Sequence, residues 1–282
     1  MTHIGIGLPV GDPAGLLDWA RRAEAGPFRT VGLLDRLVYD NPEPLTALAV
    51  LAGATSRLRV QTEVLLAPLR DTALLAKQAA TLDRMTGGRL VLGLGVGGRD
   101  DDHLAAGVDI RTRGRRLDAQ MAAMRRAWAG EPYAEGLGPI GPAPATPGGP
   151  EVLFGGFRPA AVERVARWGD GFLAAAAPSW AAGLFDTVRR FWKEYGREGE
   201  PRIVAQANMA LGPEPVVEDA RSRMHAYYAF TGTPERMVSG LLTTPAAVRS
   251  AIGAFADLGA DEVVFYCHGL DPDQVDRLAD LL

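Results

Sequence analysis

Short apolar runs and stretches of helical period alternate from one end of the chain to the other, and this alternation restricts the fold more than any other feature. The runs are 3–8, 30–34, 58–66, 89–96, 151–155, 171–175, 202–211 and 262–268, each bounded by Gly, Pro or Asp. Between them apolar residues recur on one helical face, as in Leu16, Trp19, Ala20 and Ala23, and again over 74–85, 117–128, 160–168, 184–195 and 248–258. About eight strand–helix units in 282 residues predict one α/β domain over residues 1–282, a closed (β/α)8 TIM barrel. Pro44 and Pro159 fall where a first helical turn tolerates a missing N–H, and Gly87-Gly88 falls where a helix should end. Residues 130–150 are dense in Gly and Pro and have no period. They are expected to form a long loop near the barrel mouth that helps define a substrate pocket.

Hydrophobic residues make up 47% of the chain, enough for the large core such a barrel needs. The net charge of −4 comes with scattered basic residues, which argues against a nucleic-acid partner. A strand-like run follows Met1-Thr2 directly, so no secretory leader is expected, and no apolar run reaches bilayer length, so no membrane partner is expected either. Cys267 is the one cysteine, and His3, His103, His225 and His268 lack metal-ligand spacing, which leaves no metal site to expect. A cytoplasmic location is the expectation.

A parallel strand in a barrel is buried on both faces, so its polar residues need a reason. In the third run the two-residue period puts Gln61 and Glu63 on one face and turns Val60, Thr62 and Val64 toward the helices. The seventh run pairs Gln206 with Asn208, the eighth Tyr266 with His268, and the second ends at Asp35-Arg36. These groups should converge on the rim where barrel enzymes keep their sites. Each could instead be a satisfied core group, but a set of them at one end favours function. Gly5 and Gly7 share a face of the first strand, where missing side chains leave room for a flat ring or relieve crowding at the axis.

Two strand–loop–helix junctions could hold a phosphate. Gly93-Leu94-Gly95-Val96-Gly97-Gly98 fits a dinucleotide pattern, with Asp118 at the spacing of a ribose-binding acid. Asp100-Asp101-Asp102 follows at once, however, and would repel a pyrophosphate. The second junction, Gly155-Gly156-Phe157-Arg158-Pro159, offers backbone amides, a helix start and a cation. Arg113, Arg115 and Arg116 form a basic cluster at another helix start, and at least two of them read best as surface charge.

At these residues the sequence resembles the luciferase-like monooxygenase family of flavin- and deazaflavin-dependent barrels. The likeness is carried by residues 48–68 (LAVLAGATSRLRVQTEVLLAP), 75–98 (LAKQAATLDRMTGGRLVLGLGVGG), 113–128 and 150–173 (PEVLFGGFRPAAVERVARWGDGFL), with a weaker match over 246–266. The resemblance implies an isoalloxazine-type ring in the mouth, over a bulge and non-proline cis peptide formed by Glu63 and Val64. It also implies that Gly155, Gly156, Phe157 and Arg158 hold the cofactor phosphate, with Arg115 as a further phosphate contact and Asp35 as the acid ending the second strand. Where relatives commonly carry His after that acid, this chain has Arg36, and where they carry His-Pro after the third strand it has Asp71-Thr72.

The loop 155–159 has no Ser or Thr to meet the dianionic phosphate of FMN. Backbone amides suit the singly charged phosphodiester of coenzyme F420, a deazaflavin, somewhat better. The leading expectation is hydride transfer between coenzyme F420 and a small organic substrate, with Glu63 and His268 as acid or base and Arg36 orienting the substrate. A flavin monooxygenase using FMN and oxygen is the alternative, and a cofactor-less barrel that serves as a binding protein is a second. A separate flavin or deazaflavin reductase and a second copy of the chain, in a homodimer, are the partners the resemblance implies.

Overall fold

The computed structural model of the protein describes residues 2–11 and 13–282. Its strand segments are β1 (His3–Gly7), β2 (Thr30–Leu33), β3 (Arg59–Thr62), β4 (Leu65–Leu66), β5 (Leu90–Gly95), β6 (Glu151–Gly155), β7 (Gly171–Ala174), β8 (Arg202–Met209) and β9 (Glu262–Cys267). All pair in parallel in the order β3-β2-β1-β9-β8-β7-β6-β5-β4, and β3 also pairs with β5, which closes the sheet. β3 and β4 are two pieces of one barrel strand, separated by a cis peptide between Glu63 and Val64. Eight strands therefore make the (β/α)8 barrel that the alternating pattern predicts.

The helices that wrap it are α1 (Leu16–Ala25), α2 (Pro44–Gly53), α3 (Thr72–Thr86), α5 (Arg113–Trp128), α6 (Pro159–Trp168), α7 (Pro178–Glu194), α10 (Pro245–Asp257) and α11 (Asp273–Ala279). Their ends follow local chemistry. The Glu43 carboxylate accepts from the N–H groups of Leu45 and Thr46 ahead of Pro44, and Asp71 caps Leu74 at 2.8 Å. At the far end of α3, Gly87 adopts a left-handed φ of 66°, which costs glycine nothing.

Alternation along each strand sends one set of side chains outward and the other to the barrel axis. Ile4, Ile6, Val31, Val60, Leu92, Phe154, Phe172 and Phe265 join the helices in the main core. The axis is filled in layers. At the amino ends of the strands Arg202 bridges Glu151 (2.9 Å) and Glu262 (2.5 Å), and Arg59 also pairs with Glu151. Above this ionic layer lie Val91, Leu153, Leu173, Val204 and Val264, which seal the interior from below. Gln61 and Gln206 stand beside members of this layer, Val91 and Val264, on the side toward the carboxyl ends of the strands.

The segment 130–150 lies elsewhere than expected. It follows the end of α5 and leads into the amino end of β6, which puts it at the end of the barrel opposite the mouth. There it is tied to α3: the Thr146 amide and hydroxyl donate to the Asp83 carboxylate at 2.8 and 3.1 Å, Lys77 donates to the Gly141 carbonyl and Arg84 to that of Ala143. Composition marks a loop but carries no information about which end of a helix it leaves.

The mouth is covered instead by α4 (Asp100–Ala105) and by an excursion between β8 and α10, consisting of α8 (Glu214–Tyr228) and α9 (Pro234–Val238). The chain returns from it at Leu242, which bridges Met209 at the end of β8. Among the described residues no helix is long and apolar enough to cross a membrane, and no group of His, Cys, Asp and Glu could hold a metal ion.

Candidate active site

The deepest polar layer at the mouth is built around Glu63. The Gln61 amide donates to its Oε1 and the Gln206 amide to its Oε2. Room for the carboxylate comes from β2, because a Cβ at Gly32 would stand 2.5 Å from Glu63 Oε1. Gly7 does the same for the Tyr266 ring, which lies over it at the neighbouring strand. Burial pushes the Glu63 carboxyl from an ordinary 4.5 up to about 7, even though Gln206 and Gln61 donate to it. Burial, followed by the charge on Glu63, also raises the Tyr266 phenol well above its ordinary value.

One level higher, His268 Nε2 lies 3.1 Å from Asn208 Oδ1, while its Nδ1 is buried with no hydrogen-bond partner. Burial lowers this imidazole to about 4, so it is neutral at pH 7. Glu63 and His268 face the same interior, since β8 reaches the first through Gln206 and the second through Asn208. Two residues of strand separate those levels, roughly 6.5 Å.

The expected orientation of Val64 is overturned. Alternation should turn it to the helices, but the backbone break after Glu63 resets the period and sends it to the axis. There it packs on the inner apolar layer together with Leu34. A Cβ at Gly95 would lie 2.4 Å from Val64 Cγ2, and one at Gly155 2.9 Å from Cγ1, so two strand glycines make space for it. Leu34, Val64, Gly155, Gln206 and Asn208 point inward yet are only half-buried. Solvent therefore reaches a floor formed by the bulge, directly above Glu63.

Asp35 and Arg36 diverge. Asp35 is buried outside this floor, where Oδ2 accepts from the Leu66 N–H and from Arg70, both at 2.9 Å, and so fixes the strand just past the bulge. Burial raises its carboxyl, with Arg70 as the main opposing influence. Arg36 turns to the cover: Nε donates to Asp102 at 3.2 Å, Nη2 to the Val38 carbonyl, and Nη1 is buried without an acceptor. Asp102 in turn accepts from the Leu37 and Val38 amides at 3.0 and 2.7 Å.

At the β6–α6 junction Gly156 has φ +154°, and a Cβ there would meet that of Ala161 at 2.6 Å. Arg158 stands at the N-cap of α6, which has no side-chain cap, and is exposed; so is Phe157, stacked on Trp180 at 4.8 Å. Arg115 is exposed in the first turn of α5, whereas Arg116 is spent on the carbonyls of Pro68 and Arg70. Asp118 pairs with Arg164 at 2.8 Å and is not free to meet a ribose.

Sequence reasoning missed the aromatic cover. Tyr227, at the end of α8, packs perpendicular to Tyr39 (5.3 Å) and lies 5.6 Å from the His268 ring, and Phe230 lies over Arg99 at 4.4 Å. The cluster of Tyr227, Tyr228 and Phe230 in a segment outside any strand was the available signal.

A closed eight-stranded parallel barrel wrapped by helices agrees with the wider comparison. The chain belongs to the luciferase-like monooxygenase family, whose sequence model matches residues 2–262. A curated protein of Mycobacterium tuberculosis is 33% identical over 162 residues, 55% of this chain and 56% of that one, so the match spans little more than half of that relative. Among solved structures, a monooxygenase from Streptomyces bottropensis superposes with a TM-score of 0.78 at 21% identity, covering 99% of this chain and 97% of its own. An F420-dependent secondary alcohol dehydrogenase, solved with an F420–acetone adduct, gives 0.85 at 17% identity, covering 100% and 98%. At such identities the superpositions establish the fold.

Proposed function

We propose that the protein is an oxidoreductase that transfers hydride between coenzyme F420 and a small organic carbonyl or alcohol at the barrel mouth. The observation that carries this reading is the floor at Glu63–Val64, where a backbone break turns Val64 inward between two glycines and leaves a solvent-reached surface with a carboxyl beneath it. Such a floor fits a planar tricyclic ring. Gly155, Gly156 and Arg158 at the start of α6 fit a phosphodiester, because uncapped amides, the helix dipole and a cation act together there.

A bound deazaflavin supplies or accepts the hydride. The chain supplies the rest. Glu63, titrating near pH 7, holds or gives up one proton at its Oε atoms under neutral conditions. His268, positioned by Asn208 and kept neutral by burial, has a free Nδ1 that accepts a hydrogen bond at the upper level. The guanidinium of Arg36 stabilises negative charge that develops on a substrate oxygen.

The test is fluorescence titration. Oxidised coenzyme F420 should be quenched by the purified protein at micromolar concentration, and Arg158→Ala should weaken binding about tenfold, while Asp109→Ala, which breaks a surface pair with Arg111, leaves it unchanged. Binding of FMN alone would replace this reading with a flavin monooxygenase. Binding of neither would make the chain a barrel without a redox cofactor.

A further inference from the structure

The ring of Tyr227 occupies a position with the features of a ligand site. Tyr39 and Tyr228 stand perpendicular to it, at 5.3 Å (83°) and 4.9 Å (84°). Arg36 lies 5.5 Å from its centroid and the His268 ring 5.6 Å. Both of those groups carry a buried nitrogen with no hydrogen-bond partner, Arg36 Nη1 and His268 Nδ1, although the Arg36 side chain is only 5% exposed. Buried polar nitrogens left unpaired are costly, and a donor and an acceptor of this kind around one ring need a reason. The Tyr227 hydroxyl lies on the Arg36 side, where the guanidinium opposes the upward push of burial on the phenol.

Ala210, Val217, Ala220, Met224 and Leu241 form a cluster of their own, separate from the barrel core. Tyr227 and Tyr228 both stand in the last turn of α8, whereas Arg36 and Tyr39 lie in the loop after β2 and His268 directly follows β9, so the slot opens when the Tyr227 side chain alone turns away.

We propose that Tyr227 is a place-holder, and that the slot it fills takes a planar aryl carbonyl substrate, with the ring between Tyr39 and Tyr228 and the carbonyl oxygen on Arg36 Nη1. A guanidinium N–H supplies the donor that such an oxygen needs, and perpendicular aromatic walls favour a flat π-surface over an aliphatic chain. His268 Nδ1 accepts from a hydroxyl on the same ligand. Because the place-holder must leave first, the apparent affinity of the free protein is lower than that of the opened site. The substrate class rests on reading this mouth as the site of hydride transfer, but its test needs no cofactor.

Calorimetric titration of the full chain compares acetophenone with cyclohexyl methyl ketone, which has the same carbon skeleton without aromaticity. Acetophenone should bind saturably and at least about tenfold more tightly. Arg36→Lys, which keeps a cation for Asp102 but loses the fork, should weaken acetophenone about tenfold. Tyr227→Ala should tighten it severalfold, an outcome that a purely structural role for the ring would not give. Equal binding of the two ketones, no binding of either, or loss of binding in Tyr227→Ala at an unchanged melting temperature overturns the proposal. Failure of the coenzyme titration with success here would leave the aryl slot standing without hydride transfer, and the reverse result would leave hydride transfer with a different substrate.

Discussion

Replacing Glu63 by Gln should alter the dependence of stability on pH more than it alters stability itself. The carboxyl titrates near 7 in the folded chain and near 4.5 when free. Below 4.5 both states hold the proton and the group contributes nothing. Between 4.5 and 7 the folded chain keeps a proton that the unfolded chain has lost, so stability falls as pH rises, by about 1.4 kcal/mol per pH unit. Above 7 the full cost, about 3 kcal/mol, is present. Glu63→Gln removes this titration and keeps the volume, and the side-chain amides of Gln61 and Gln206 can each turn to offer an oxygen. Urea unfolding of both proteins at pH 5 and pH 8 gives the difference of differences, in which other titrating groups such as Asp35 and His268 cancel. Relative to wild type, the variant should gain about 2–3 kcal/mol between those two pH values. Parallel curves would mean that the carboxyl is already ionised in the folded chain and that Glu63 is no neutral-pH proton carrier.

Two further substitutions test the architecture of the mouth. Gly95→Ala drives a methyl to within 2.4 Å of Val64 Cγ2, so it should cost about 1–3 kcal/mol by overpacking and weaken coenzyme binding about tenfold by tilting the floor. Adding Val64→Ala should restore most of both in denaturation and quenching experiments, and no restoration would show that Gly95 acts elsewhere. Asp83→Ala cuts the two hydrogen bonds that tie Thr146 to α3, so it should expose the 130–150 segment to limited proteolysis and cost about 1–3 kcal/mol, with coenzyme affinity unchanged. A parallel loss of affinity would bring that segment back to the mouth.

The barrel was legible because its pattern is local. Runs of two-residue and helical period, Pro44 and Pro159 at helix starts, and Gly87 after α3 each act within a few residues of chain. So does the inward pairing of Gln61 with Glu63 and of Gln206 with Asn208, since alternation in a continuous strand needs no tertiary information. The same logic explains why Val64 was misplaced: one backbone break resets the period, and residue types announce the break only through glycines on other strands.

What the sequence determined by itself is the count of strands, their closure and the rise of polar groups along β3, β8 and β9, because strand and helix preferences are properties of neighbouring residues. What tertiary structure alone decided is which groups share a space. Asp35 serves the backbone of Leu66, Arg36 turns to Asp102, Tyr227 fills the gap between Arg36 and His268, and the Gly/Pro-rich segment closes the opposite end. Those outcomes depend on contacts between residues 31 to 191 positions apart, and no local pattern encodes a distance of that kind.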